Sequence, residues 1–204
     1  MDLAEKFADK FAGRSTERRV LGIAGCPGSG KSSLAAQIVE QLGPRAVVVP
    51  MDGFHLSNEV LRQLCRSDRK GSPDTFDVDG YVSLLHRLRA SSDQIIYAPE
   101  YRREFEESIG SAVSIGPEIR WIVTEGNYLL HDEGGWERVR PLLDECWFVD
   151  IDDETRIERL VKRHIVFGKS PEAALAWANG PDERNAEIIR STRSRADHVL
   201  NPSV

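Results

Sequence analysis

Residues 25–32 read Gly25-Cys26-Pro27-Gly28-Ser29-Gly30-Lys31-Ser32, the G-x-x-x-x-G-K-[ST] spacing of a phosphate-binding (Walker A) loop. The apolar run Val20-Leu21-Gly22-Ile23-Ala24 precedes it, and a helix-like stretch, Ser33 to Leu42, follows. Gly25, Gly28 and Gly30 let backbone N–H groups wrap a triphosphate with no Cβ in the way. The N-terminus of the following helix then faces the anion. Lys31, on a loop expected to be exposed, is placed to reach the β- and γ-phosphates of ATP, and the Ser32 hydroxyl to hold Mg²⁺. Cys26, Pro27 and Ser29 fill the remaining loop positions, and Ser33 belongs to the first helical turn. Cys26 reads as a small loop residue, with the alternative that phosphate-binding amides acidify its thiol.

Phosphoryl transfer further asks for a group that orients the attacking hydroxyl and for cations around the transferring group. From Gly25 to Asp52 the chain holds the loop, one helix (33–42) and one strand (46–50). That is a single βαβ unit whose right-handed crossover returns the second strand parallel to the first. Asp52 therefore emerges at the same carboxyl edge as the phosphate loop, where open α/β sheets bind ligands. Gly53 gives the chain freedom just after the strand. The run Trp121-Ile122-Val123-Thr124-Glu125-Gly126 places Glu125 at that edge too. Asp52 is the candidate to accept or orient the acceptor's hydroxyl proton. Glu125 is the Walker-B-like acid, on Mg²⁺ or its waters, or on a substrate hydroxyl.

Between Asp152 and Phe167 an N-capping Asp is followed by Arg156, Arg159 and Arg163, three guanidinium groups on one helical face. Gly168 and Lys169 separate this helix from a second start, Ser170-Pro171-Glu172. Two helices joined at a glycine, the arginines on the first, fit a lid over phosphates, at about 156–180. Arg193 is a weaker candidate of the same kind. Residues 66–77 form a polar loop longer than a simple connector needs, of the sort that is functional or disordered. Tyr97, Pro99, Tyr101, Arg102 and Arg103 follow the apolar run Gln94 to Ala98 and are candidates to line an acceptor pocket. His55 is the histidine in a promising place. The four tryptophans read as core or loop packing.

These residues need a scaffold that delivers strand ends to one edge. Apolar runs at 20–24, 47–49, 94–98, 121–123, 146–151 and 198–200 alternate with helical patterns, the signature of a mainly parallel sheet of about five strands with helices on both faces. Leu3, Phe7 and Phe11 mark a short amphipathic helix ending at Gly13. The length of 204 residues suits one domain, 1–204. A net charge of −6 argues against a nucleic-acid partner. Three scattered cysteines and no apolar stretch of membrane-spanning length predict a cytoplasmic protein.

Taken together, Gly25 to Ser32, Met51-Asp52-Gly53-Phe54-His55, Gly71 to Asp77, Pro99-Glu100-Tyr101, Glu125 to Leu130 and Arg159 to His164 resemble the P-loop kinase group of uridine kinase, phosphoribulokinase and bacterial pantothenate kinase. Within that group the chain is most similar to bacterial proteins assigned as fructose-transport-system kinases. The resemblance implies a P-loop NTPase fold, ATP and Mg²⁺ as cofactors, and a small-molecule hydroxyl acceptor. It implies Asp52 as base, Glu125 on Mg²⁺ or substrate, and Arg159 and Arg163 gripping phosphates. Arg102 departs from the group, where an Asp tends to follow Pro-x-Tyr, and Asn127-Tyr128 departs as well.

The first functional reading is therefore a kinase moving the γ-phosphate of MgATP to a sugar such as fructose, with a nucleoside or pantothenate as alternative acceptor. A reading of another class is an NTP-hydrolysing switch or regulatory subunit, against which no Asn-Lys-x-Asp element occurs. The sequence leaves a homodimer open.

Overall fold

The computed structural model describes residues 3–10, 18–90 and 93–201. In chain order these form α1 (Leu3–Lys10), β1 (Arg19–Gly25), α2 (Lys31–Leu42), β2 (Ala46–Pro50), α3 (Asn58–Gln63), α4 (Val78–Arg89), β3 (Ile96–Arg102) and β4 (Glu107–Ile115). Then come β5 (Trp121–Gly126), β6 (Glu145–Val149), α5 (Asp153–Val166), α6 (Pro171–Asn179), α7 (Pro181–Ser191) and β7 (His198–Leu200).

The main sheet has the order β2-β5-β1-β6-β7, every pairing parallel. Its central strands, β1, β5 and β6, are buried almost throughout, as expected of strands covered on both faces. Alternate residues feed two apolar layers. Leu21 and Ile23 pack with Ala35 and Ile38 of α2 and with Phe7 of α1. Val20 and Ala24 pack on the other side with Leu84, Leu85 and Leu88 of α4 and Ile189 of α7. Phe7 meets Trp121 and Trp147 edge-on, at 5.5 and 6.1 Å between ring centroids. The expected Phe11 and Gly13 end of α1 lies outside the described residues.

Two features differ from the sequence expectation. The run read at 94–98 begins at Ile96 and does not enter the parallel sheet; it pairs antiparallel with β4 in a separate hairpin. β4 has a broken apolar pattern, Ile109, Val113 and Ile115 interrupted by Ser111, and all but one of its residues are partly or fully exposed. The loop 66–77 is anchored: Tyr128 Oη donates to Gly71 O at 2.6 Å, Trp136 Nε1 donates to Pro73 O at 3.1 Å, and Thr75 is fully buried.

Candidate active site

β1 ends at Gly25 between β5 and β6, so the phosphate loop rises over the middle of the sheet. Gly28 there has φ +84°, and a Cβ on it would stand 2.8 Å from Arg156 O and 2.9 Å from Leu160 Cγ of α5. Only glycine fits both that conformation and that packing. α2 starts on Gly30 with no side chain capping it, which leaves its first amides for an anion. Lys31 is buried and donates to Cys26 O at 2.9 Å. Burial lowers its pKa, against the opposing pull of Glu125 and Asp52. Ser29 Oγ is buried inside the loop without a hydrogen-bond partner, an orphan that a phosphate oxygen would satisfy. Ser33 is exposed on α2.

Pro50 of β2 and Glu125 of β5 are partners in register, so the turn after β2 carries Asp52 to the Glu125 strand end. Ser32 Oγ donates to Glu125 Oε1 at 2.9 Å. Behind them, Tyr81 Oη and Thr124 Oγ1 lie 2.6 Å apart, and Thr124 Oγ1 donates to Val49 O, which locks β5 to β2. The two carboxylates sit in different fields. Burial works to raise Asp52, but His55, Arg103, Lys31 and Arg163 more than offset it and hold Asp52 below the usual carboxylate range. Glu125 is pushed up, first by burial and then by the charge of Asp52, with Lys31 and Ser32 opposing.

Gly53 serves close approach rather than backbone freedom. A Cβ there would stand 2.4 Å from Pro99 O, so the β3–β4 hairpin docks directly on the Asp52 turn. The hairpin brings Arg103 Nη2 to 3.5 Å from Asp52 Oδ2. His55 stacks between Phe76 and Tyr101, at 4.1 and 4.7 Å between centroids, and burial lowers its pKa. Loop, turn, hairpin, α5 and α6 line one cleft of about 250 Å³, with Lys31, Asp52, Tyr101, Arg103, Glu125 and Arg163 among its walls.

The chain matches the Phosphoribulokinase / Uridine kinase family over residues 20–202. It belongs to that family. A candidate uridine kinase of Schizosaccharomyces pombe is 30% identical over 195 residues, covering 90% of this chain and 83% of its own. The crystal structure of a candidate fructose transport system kinase from Silicibacter sp. TM1040 superposes with a TM-score of 0.88 at 35% identity, over 97% of both chains. A candidate uridine kinase from Bacillus stearothermophilus shares the fold, with a TM-score of 0.61 at 19% identity over 97% of both chains. The protein is thus a P-loop small-molecule kinase of the phosphoribulokinase/uridine kinase family.

In this kinase the three lid arginines have separate fates. Arg156 is buried, with Nε 2.9 Å from Asp153 Oδ1 and a second ion pair to Glu183. Arg159 is exposed, with Nη1 3.5 Å from where a Cβ on Gly30 would stand. Arg163, two turns beyond Arg156, lines the cleft, and burial, then Arg103, lowers its pKa. Arg193 Nε donates to Asp150 Oδ2 at 2.8 Å. On the hairpin, Tyr101 and Arg103 line the cleft; Arg102 is exposed and pairs with Glu100 at 2.7 Å. Tyr97 is also exposed, and neither it nor Pro99 lines the cleft.

The sequence reading missed several cleft residues, including Lys70, Phe167, Asp182 and Asn185. Trp177, read as packing, lies in the cleft wall with Lys169 Nζ 4.6 Å from its ring centroid. Trp121, Trp136 and Trp147 are core, as read. The alternative reading of Cys26 is corrected. Burial raises its thiol pKa despite Lys31, Arg156 and Arg190, and Cys146 is pushed up to about 12 by burial. With Cys65 the exposed thiol of the three, titration with an aromatic disulfide at pH 8 is expected to show one fast thiol. Cys65→Ser should remove it, whereas a fast phase surviving that change would contradict the burial of Cys26.

Proposed function

We propose that this kinase transfers the γ-phosphoryl group of MgATP to a hydroxyl of a polyhydroxylated small molecule, a sugar or sugar derivative, and that residues 1–204 act as one catalytic domain. The observation that carries this reading is the unequal environment of the two carboxylates facing the phosphate loop. Asp52 is held anionic by surrounding cations, as a group that takes or orients a hydroxyl proton must be. Glu125 is tied to Ser32, the residue that follows the loop lysine.

The oxygens of Ser32 and Glu125 suit Mg²⁺, which takes few protein ligands and otherwise keeps waters and substrate phosphates. Among the described residues no cluster of three or more His, Cys, Asp or Glu competes for that role. The ion, when bound, neutralises charge on the phosphate oxygens. The chain's own part is to cradle the phosphates on the amides of Gly28 to Ser32, with Lys31 beside them. Arg163 closes from the lid, and Arg159 stands at the outer rim. His55, Tyr101 and Arg103 wall the acceptor against Asp52. No helix of the described residues is long and apolar enough to cross a membrane.

Acceptor-stimulated ADP release, screened over sugars, nucleosides and hydroxy acids, tests the reading. A steady ATPase rate that no acceptor raises would sink it. Glu125→Gln should raise the Mg²⁺ concentration needed for half-maximal rate by about tenfold or more, the usual effect of losing a group in or behind a metal shell. An unchanged Mg²⁺ dependence would place Glu125 on substrate instead.

A further inference from the structure

Among the residues lining the cleft is Lys70, in the anchored loop between α3 and α4. Its ammonium is half-buried and its partners are neutral: Nζ donates to Asn58 Oδ1 at 2.6 Å and to the Glu106 carbonyl, and lies 5.4 Å from the Tyr101 ring centroid. No carboxylate comes within ion-pair distance of it among the described residues. The nearest acidic groups are Glu106, exposed on the cleft rim, and Glu107, whose Oε1 accepts from the Asn58 amide at 3.0 Å. Glu106 and Glu107 attract the ammonium only from beyond ion-pair distance, so its partial burial leaves room for a ligand oxyanion as a direct partner. It has three donors, of which two are used.

Arg103 continues the line. Its guanidinium lies 6.0 Å from the same Tyr101 ring and reaches Asp52. A track therefore runs from the Asp52 carboxylate across Arg103 and the Tyr101 face to Lys70. Lys31 and Arg163, like Arg103, act on Asp52 and Glu125, but from the phosphate loop and α5. The nucleotide accounts for those two cations and leaves Lys70 unexplained.

We infer that the acceptor carries an oxyanion, a carboxylate or a phosphate ester, which Lys70 binds over the Tyr101 ring with Arg103 beside it while an acceptor hydroxyl lies at Asp52. This rests on the kinase reading above and narrows its acceptor to sugar acids or sugar phosphates. The reaction stays a single phosphoryl transfer. The acceptor oxygen forms the new P–O bond, the bond to the ADP oxygen breaks, and the hydroxyl proton leaves toward Asp52.

Two measurements separate this inference from the kinase reading. In the first, ADP release is compared for matched acceptors: fructose, fructose 1-phosphate and fructose 6-phosphate, then glycerol and glycerate. An anionic member should exceed its neutral partner at least tenfold in kcat/KM, and the pair that does so distinguishes phosphate from carboxylate. Lys70→Met should erase that preference by raising KM, Lys70→Arg should restore it, and the ATP dissociation constant should not move. A neutral acceptor as good as its anionic partner would overturn the inference and leave the kinase intact.

In the second, the loop is saturated with a non-hydrolysable ATP analogue and Mg²⁺, and Tm is followed as inorganic phosphate is added. A rise in wild type that is lost in Lys70→Met supports the oxyanion site without any turnover. No rise, or a rise of equal size in Lys70→Met, overturns it.

Discussion

Asp52→Asn is expected to lower acceptor phosphorylation by roughly 10²–10⁴-fold, the range for a positioned acid or base. The change keeps the side chain's shape and removes its charge. Arg103 loses its ion-pair partner at 3.5 Å, and the hydroxyl loses the anion toward which its proton moves. The loss should fall toward the low end, because a loose, metaphosphate-like transition state needs little proton removal before the leaving bond breaks. ATP affinity, measured with and without Mg²⁺, should barely move. If affinity falls in step with turnover, Asp52 belongs to the metal shell and Glu125 becomes the candidate base. The pH profile follows from the sign of the shift. A carboxyl held below its usual range stays ionised above that range, so the wild-type kcat/KM should lose no base down to about pH 4.

Lys31→Ala is expected to cost about 10²–10³-fold in kcat or more, as loss of a preorganised charge at a developing oxyanion does. Although the sequence suggests an exposed loop, Lys31 is only 7% exposed, and its ammonium is held by one neutral carbonyl. Burial works against its charged form, so removing it relieves desolvation as it leaves the Cys26 carbonyl without that donor. The Tm of the free enzyme should therefore change little while nucleotide-dependent stabilisation shrinks. Retained turnover in Lys31→Ala would refute the phosphate-loop assignment outright.

The part of the fold that positions phosphates was legible because its signals are local or follow from strand polarity. Gly25 to Ser32 is a contiguous motif, and Asp52 and Glu125 each follow a β-branched run at the edge to which parallel strands must point. The acceptor side was less legible. A period of two puts Tyr101 and Arg103 on one face of the hairpin and Arg102 with Glu100 on the other, but the strand was expected in the parallel sheet, where its faces carry a different meaning. β4 was harder to read. Ser111, at φ +58°, interrupts the alternation of Ile109, Val113 and Ile115 in a strand that mostly faces water. The three lid arginines share a helical face in sequence, yet that face passes from the packed base against α7, at Arg156, to the open cleft, at Arg163. Helical spacing reports direction around an axis and says nothing of depth along it. Lys70 and Trp177 come from segments that meet only through tertiary packing, so no spacing rule could join them.

The hairpin docked on Gly53 has a consequence for how such an enzyme changes its preferences. Chemistry and choice of acceptor are built on separable parts. The apparatus for the nucleotide hangs from the centre of the five-stranded sheet, where any shift would disturb the whole core. Residues 96–115 lie outside that sheet and meet the Asp52 turn through backbone at Pro99 and Glu100 and through the side chains of Tyr101, Arg103 and Ser108. Backbone contacts are indifferent to side-chain identity, so a lineage can redraft the hairpin's inward-facing residues without retuning phosphate handling as long as Arg103, which sets the charge of Asp52, is kept. Grafting residues 96–115 from a relative of different acceptor preference is a compact route to altered specificity, provided the incoming strand leaves room for Gly53.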